Sequence, residues 1–141
     1  MDIYVEDGAY KPVRAHTTDA GLDIRAMHDG VVRAGRTATF HTGVHIQLPR
    51  YPCHEVTAGL LMPRSGLMVN HDILSFGIID QGYSGEIMVH LFNLGQKDYW
   101  VQAGDKISQL VVARILCEPI NFTDSIEGGE RQDDGFGSTG R

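Results

Sequence analysis

The end of this 141-residue chain combines residue types that can bind phosphate with one that can stack on a ring. Phe136 stands between two glycines as an aromatic available for stacking, and Arg131, Ser138 and Thr139 are phosphate-binding types. Flexible glycines would let backbone N–H groups wrap an anion. Residues 135–140 also match GxGxxG, but that dinucleotide fingerprint must follow a strand and open a helix, and only one residue follows here. A disordered tail is the alternative interpretation.

A second candidate is the run Pro63–Leu67, which follows an apolar stretch. Arg64 supplies a planar fork of donors, Ser65 adds a hydroxyl donor, and Gly66 adjoins them. This combination suits phosphate oxygens, although a solvated turn would use the same residue types.

A third candidate is the segment Gly77–Gly85. Asp80 stands at the end of a predicted strand, and Tyr83 follows three residues later within a turn. These two side chains could bind a sugar and position a water. An aspartate in a turn also commonly bonds to its own backbone, so a structural role stays open.

A fourth candidate is Asp23, which stands between two apolar residues of a short strand. It could face a metal ion, or it could be an exposed strand residue. His41 and His45 share one face of a predicted strand but would lie about 13 Å apart at roughly 3.3 Å per residue. They therefore cannot share one zinc ion, whose ligands lie about 2 Å away.

The elements that must position these residues are mostly β-strands, because alternation of apolar and polar residues recurs between 17 glycines. Thr39–Leu48 predicts one strand with Phe40, Thr42, Val44, Ile46 and Leu48 on its core face. Gly85–Leu91 and the turn before it predict a β-hairpin.

Two further elements follow from the same patterns. Lys106–Ile115 is apolar on both faces and predicts an internal strand, in which Ser108 and Gln109 need hydrogen-bond partners. A short helix is predicted near Ser65–Asn70.

The composition indicates one domain. Residues 1–126 are expected to form a single β domain, and residues 127–141, with one large apolar side chain, a mobile arm. The formal net charge of −6 argues against a nucleic-acid partner. Cys53 and Cys117 indicate reduced thiols, with a disulfide still open. Without a secretory signal or a membrane span, we expect a soluble, cytoplasmic protein with no membrane partner.

The order of these segments resembles the five motifs of the trimeric dUTPase family, and the resemblance covers nearly the whole chain. The matching segments are Ala20–Asp23, Pro63–Leu67, Gly77–Gly85, Gly104–Gln109, and Arg131 with Gly135–Gly140.

The resemblance implies an all-β, jelly-roll-like distorted β-barrel that forms a homotrimer. Each of its three sites would be built from all three subunits, with the C-terminal arm closing over a neighbour's site. The implied activity is Mg²⁺-assisted attack of water on the α-phosphorus of dUTP. The products would be dUMP and pyrophosphate, so the enzyme would limit uracil in DNA and supply dUMP.

The resemblance also assigns roles to the nucleoside-facing residues. Asp80 would orient the attacking water and touch the 3′-hydroxyl, and Tyr83 would pack against the deoxyribose and exclude a 2′-hydroxyl. The backbone near Gly77 and Met88 would read the uracil edge.

The phosphate-facing roles fall on the other motifs. Arg64, Ser65 and Gly66 would hold phosphates together with Gln109, which is also a catalytic candidate, and Asp23 would bind Mg²⁺ through water. From the arm, Arg131, Gly137, Ser138 and Thr139 would clamp the γ end beneath Phe136 stacked on uracil.

The sequence departs from the family pattern in three places, one of them two residues long. Gln132 replaces a usual glycine, Lys106 a common arginine, and Leu74 with Ser75 stands where some members present an asparagine. These departures are expected to affect substrate affinity and closure of the arm more than the type of reaction.

Two rival functions remain to be tested. A dCTP deaminase resembles dUTPases in fold, but its pattern places a catalytic glutamate after the hairpin and lacks a tyrosine equivalent to Tyr83. A non-catalytic trimeric regulatory protein could use the same scaffold. Against an inactive site stand five residues together: Asp80, Tyr83, Arg64, Ser65 and Phe136.

Overall fold

The computed structural model describes residues 1–51 and 55–128. These residues form eleven strands and one short helix. In chain order the elements are β1 (Asp2–Val5), β2 (Gly21–Arg25), β3 (Gly30–Val32), β4 (Thr37–Phe40), β5 (Val44–Gln47), β6 (Glu55–Met62), α1 (Ser65–His71), β7 (Ile73–Ser75), β8 (Gly77–Asp80), β9 (Val89–Asn93), β10 (Tyr99–Val101) and β11 (Lys106–Leu116). The all-β prediction is confirmed.

The strands pair in four antiparallel sheets. The largest has the order β2-β11-β6-β8, a second has the order β4-β9-β7, and two ribbons pair β1 with β5 and β10 with β3. Most strands that follow each other in sequence lie in different sheets, so the chain passes repeatedly across one shared core. Apolar side chains from every sheet meet there, among them Ile24, Val32, Val44, Leu91 and Leu110.

The predicted single strand Thr39–Leu48 is interrupted, although its face assignment is confirmed. All five residues predicted on the core face are buried. The strand breaks between Phe40 and Val44, where Gly43 has a φ of +61° and the backbone N–H groups of Thr42 and Gly43 donate to the Glu86 carboxylate. At this bend, hydrogen bonds to the Glu86 side chain therefore replace the backbone hydrogen bonds of a continuous strand.

The predicted β-hairpin around residues 80–91 is wrong as a pair of strands. β8 pairs with β6, whereas β9 pairs with β4 and β7 in another sheet. The predicted turn is present, because the Tyr83 N–H donates to the Asp80 carbonyl. This turn connects strands of two different sheets. Alternation could indicate two strands and a turn, but not which neighbour each strand pairs with.

The other two element predictions are confirmed. β11 lies between β2 and β6, as an internal strand must. Its polar residues have partners: the Ser108 hydroxyl lies 2.9 Å from that of Ser75, and the Gln109 amide donates to the Pro63 carbonyl at 3.0 Å. α1 covers the predicted helical segment.

The described end of the chain leaves apolar side chains exposed. Beyond β11, Phe122 is 95% exposed and Ile126 is 89% exposed. Most of the predicted arm, residues 129–141, lies outside the described residues, as does Cys53, whereas Cys117 is a free, exposed thiol. No helix in the described ranges is long and apolar enough to cross a membrane.

Candidate active site

A cavity of about 500 Å³ opens where β2, the end of β6, the start of α1 and β11 meet. Its walls carry residues from three of the predicted motifs. Asp23 comes from the first, Arg64 and Ser65 from the second, and Gln109 from the fourth. Ala15, Asp19, Ala20, Gly21, Met62, Pro63 and Val111 complete the lining.

Strand register brings these motifs together. In the largest sheet Asp23 pairs with Gln109, and Gln109 pairs with Met62 on its other side. The chain leaves β6 after Met62 and enters α1 at Ser65, so Arg64 and Ser65 are placed directly beside the same row of residues. Three segments distant in sequence thus converge on one edge of the cavity.

Asp23 is held between two cations. Its carboxylate lies 3.1 Å from the Arg64 Nε and 2.7 Å from the Lys106 Nζ, and the residue is only 9% exposed. The interpretation of Asp23 as an exposed strand residue is therefore wrong, because the side chain turns into the cavity wall toward these partners. The Asp23 cluster itself carries two positive charges and one negative charge, which suits an anionic ligand in an acidic protein, and Asp19 adds a second carboxylate to the cavity lining.

Gln109 is positioned by a glycine on the neighbouring strand. A Cβ atom on Gly21 would lie 2.5 Å from the Gln109 Oε1, so the amide occupies space that a side chain there would need. Gly66, at the start of α1, meets nothing within 4 Å of an added Cβ. The chain therefore leaves this stretch of backbone open for close approach by a ligand.

The third motif lies elsewhere on the chain. Asp80 and Met88 are exposed, Tyr83 is 45% exposed, and neither these residues nor Gly77 lines the cavity. The Tyr83 hydroxyl donates to the Glu86 carbonyl at 2.8 Å. β8 is the edge strand of its sheet, so its outer backbone groups have no strand partner among the described residues.

The distance between the two groups follows from strand geometry. Asp23 and Asp80 lie on the two edge strands, and Asp80 pairs with Ala58, four residues from the Met62 that aligns with Gln109. Three strand spacings of roughly 4.8 Å and four residues of roughly 3.3 Å separate their backbones by about 20 Å. One chain therefore does not bring Asp80 and the cavity residues together.

The remaining predicted residues, Arg131, Phe136, Gly137, Ser138 and Thr139, lie outside the described residues. One cation beside the cavity is absent from the predicted site residues: Lys106, which contacts Asp23, was identified only as a departure from the family pattern. A lysine at the first position of an internal strand is a weak sequence signal, because its contact with Asp23 depends on tertiary structure.

A magnesium ion fits this cavity only as part of a larger complex. Among residues 1–51 and 55–128, no three His, Cys, Asp or Glu side chains are grouped so as to hold a metal ion. Each Asp23 oxygen already has one cationic partner, but a carboxylate offers about four lone-pair sites. Mg²⁺ commonly binds through one or two carboxylates, waters and substrate phosphates, and Asp23 can serve such an ion through water.

Comparisons with known proteins agree with this arrangement. The family model described as dUTPase matches residues 8–140. The chain is 37% identical over 139 residues to the deoxyuridine 5′-triphosphate nucleotidohydrolase of Clostridium acetobutylicum, covering 96% of this chain and 92% of that protein.

Solved structures extend the comparison to the fold. A mutant dUTPase of Staphylococcus bacteriophage 80alpha with dUpNHpp superimposes with a TM-score of 0.86 at 25% identity, covering 99% of this chain and 98% of that one. A mutant dUTPase of phage phi11 of S. aureus, which coordinates a structural Mg(II) ion, gives a TM-score of 0.79 at 24% identity, covering 90% and 98%. These matches confirm the predicted jelly-roll-like architecture. With the family model spanning nearly the whole sequence, the chain belongs to the dUTPase family.

Proposed function

We propose that the protein hydrolyses dUTP to dUMP and pyrophosphate as a homotrimer whose active sites are shared between subunits. The observation that carries this proposal is the separation of about 20 Å between the backbones of Asp80 and Asp23, on opposite edges of the sheet, worked from strand spacings. A base must lie within roughly 3 Å of the water it orients, or act through one further water. A subunit that supplies Asp80 therefore needs another subunit to supply the cavity.

The cavity binds the triphosphate. Arg64 offers a planar fork of donors, held by Asp23 so that the guanidinium keeps one orientation. The Ser65 hydroxyl and the Gln109 amide add neutral donors from the adjacent wall. These fixed donors stabilise the negative charge that develops on the phosphate oxygens during attack. Catalysis is therefore mainly positioning and electrostatic stabilisation.

Asp80 orients the attacking water. Its carboxylate is exposed and makes no hydrogen bond to another described residue, so it is free to accept one from water and from the 3′-hydroxyl. Attack on the α-phosphorus forms the bond to water and breaks the bond to the bridging oxygen, releasing pyrophosphate. Asp80 accepts the proton that the water loses.

The same surface selects the nucleoside. The Tyr83 ring packs against the deoxyribose and excludes a 2′-hydroxyl, while the backbone near Gly77 and Met88 reads the uracil edge. Backbone recognition agrees with the position of β8 at the edge of its sheet.

Mg²⁺, when bound to the substrate phosphates and reached by Asp23 through water, would neutralise phosphate charge. Residues 127–141 are proposed to be an arm that closes over a neighbouring site. There Arg131, Gly137, Ser138 and Thr139 contact the γ end, and Phe136 stacks on uracil. The arm is proposed to be separate from the β domain, residues 1–126.

Substrate preference tests the reaction. Pyrophosphate release is measured from dUTP, dTTP, UTP and dCTP, with and without Mg²⁺. We expect preference for dUTP and dependence on the metal. Equal turnover of dUTP and UTP, or conversion of dCTP to a deaminated product, would contradict the proposal.

Subunit mixing tests the shared site. Asp80→Asn and Gln109→Ala chains, each nearly inactive alone, are unfolded together and refolded at equal concentrations. In closed three-fold trimers of random composition, about a quarter of the sites would combine an intact Asp80 from one chain with an intact Gln109 from another and recover activity. Activity no higher than that of either variant alone would show that each chain completes its own site.

A further inference from the structure

The turn that carries Tyr83 is fastened to the bend between β4 and β5 by the Glu86 carboxylate. One oxygen accepts from the Thr42 N–H at 2.9 Å and from the Gly43 N–H at 2.8 Å, and the other lies 2.8 Å from His41 Nδ1. Burial raises the pKa of Glu86, but these three contacts more than offset it, so the pKa is lowered overall. The carboxylate is therefore charged at neutral pH and holds two turns together.

A second fastening comes from His45 on β5. Its Nδ1 lies 3.1 Å from the Ser84 carbonyl, and its Nε2 lies 2.8 Å from a Glu6 carboxylate oxygen. Both neighbours are acceptors, so both ring nitrogens can donate only when the ring is an imidazolium. The hydrogen bond to Glu6, followed by that to Ser84, raises the pKa of His45 above its ordinary 6.5.

The other groups that face His45 favour the same charge state. Glu86 acts on it as a further negative charge, and the Tyr4 ring packs 5.4 Å away. The imidazolium thus connects Ser84, next to Tyr83, to Glu6 in the segment after β1.

Tyr83 takes its orientation from the backbone that these two residues hold. Its hydroxyl donates to the Glu86 carbonyl at 2.8 Å. Its ring lies against Gly85, where an added Cβ would come within 2.5 Å of the hydroxyl oxygen. Neighbouring backbone is anchored as well, since the Ile87 N–H donates to the Val44 carbonyl at 2.7 Å. A shift of residues 84–86 would therefore move the ring.

We infer that Glu86 and His45 are positioning residues that fix the Tyr83 ring and thereby set the preference for 2′-deoxyribose over ribose. This inference rests on the proposed function, in which Tyr83 excludes the 2′-hydroxyl. A pocket that accommodates an added hydroxyl rejects it by only about 10²-fold, so a displacement of the ring that makes room for the 2′-hydroxyl would remove much of the discrimination. Glu86 and His45 contribute through Tyr83 and do not touch the nucleotide.

The first test compares the ratio of kcat/KM for dUTP to kcat/KM for UTP in the full-length protein and in two variants, Glu86→Ala and His45→Gln. We expect each variant to lower this ratio about tenfold, because UTP is rejected less strongly. A purely structural role would lower both values together and leave the ratio unchanged.

A matched control is available at Asp98. Its carboxylate likewise binds a backbone N–H, that of Ala34 at 2.9 Å, and a cationic side chain, that of Arg33 at 2.6 Å. Asp98→Asn removes a comparable contact outside the turn and should leave the ratio at its wild-type value. Should Glu86→Ala fail to fold, His45→Gln, which keeps all the Glu86 contacts, decides the question.

The second test uses pH. The ratio for the wild-type protein should hold below pH 6.5 and fall as pH rises through the raised pKa of His45, because the neutral ring loses one of its two donors. In His45→Gln the ratio should not change over this range. Any group that acts on both substrates alike cancels in the ratio.

Three outcomes distinguish failure of the proposed function from failure of the positioning role of Glu86 and His45. Wild-type protein that does not prefer dUTP to UTP would overturn the proposed function itself. Wild-type preference that survives unchanged in folded Glu86→Ala and His45→Gln would overturn the positioning role alone. An equal loss of the ratio in Asp98→Asn would overturn it too, since the effect would not be specific to the turn.

Discussion

Replacing Gly21 by alanine should damage activity while leaving the fold intact. An added Cβ would lie 2.5 Å from the Gln109 Oε1 and 3.2 Å from the Gln109 Cβ and Cδ, whereas ordinary contacts begin near 3.4 Å. The amide must therefore move by about 1 Å, a displacement that can cost about 10²-fold in rate. It would also strain the hydrogen bond from Gln109 to the Pro63 carbonyl.

The effect of Gly21→Ala on stability should be small, so a loss of activity can be distinguished from a loss of folding. Gly21 opens a strand and does not have a positive φ, so alanine fits the backbone there. Alanine in a strand interior is favoured over glycine by roughly 0.5–1 kcal/mol, which offsets much of the steric cost. We expect kcat/KM for dUTP to fall about 100-fold, equivalent to about 2.7 kcal/mol, with the free energy of unfolding changed by less than about 1 kcal/mol.

A double-mutant cycle checks that the effect passes through Gln109. Pyrophosphate release and urea unfolding are measured for Gly21→Ala, Gln109→Ala and the double variant. Loss of a transition-state donor typically costs 10²- to 10³-fold, and Gly21→Ala should add almost nothing once Gln109 is gone. Independent, multiplying losses would refute this reasoning, as would Gly21→Ala activity close to that of the wild type.

Three further predictions follow from the proposed site. Asp80→Asn should lower turnover by roughly two to four powers of ten with folding intact; near-normal turnover would remove Asp80 from the mechanism. Asp23→Asn leaves Arg64 and Lys106 without the carboxylate that both contact. Because these ion pairs are partly exposed, the substitution should cost about 1–3 kcal/mol of stability, and it should raise KM for dUTP. An unchanged urea midpoint and an unchanged KM would contradict this prediction. Truncation after Gly128 should leave a trimer with little activity, whereas a monomer in analytical ultracentrifugation would show that the arm is structural.

Local sequence patterns predicted which residues are buried better than they predicted which strands pair. Alternation identified Phe40, Val44 and Leu48 as core residues because it reflects which side of a strand faces apolar neighbours. It missed the break at Gly43, which depends on Glu86 more than forty residues away. Pairing of β8 with β6 instead of β9 likewise depends on the packing of whole sheets.

The same limit applied to the candidate site. Residue types in the motifs pointed to phosphate chemistry, and three motifs do meet in one cavity. The ion pairs of Asp23 could not be predicted, because Arg64 and Lys106 reach it from other strands and loops. A carboxylate between two apolar residues has the same local signal whether it faces a metal, a cation or water.

The Asp23 cluster also explains how an acidic chain can bind a triphosphate. Without the carboxylate, Arg64 and Lys106 would repel each other and sample many rotamers, so binding would carry the cost of ordering both. Asp23 orders them in advance, and this three-residue cluster keeps a net charge of +1 beside a cavity to which Asp19 adds a carboxylate. One charge cannot balance a tetra-anion, so Mg²⁺ and Arg131 from the arm must supply the rest under the proposed function. Tight binding should therefore require metal, arm and assembled trimer together, and each alone should leave affinity low.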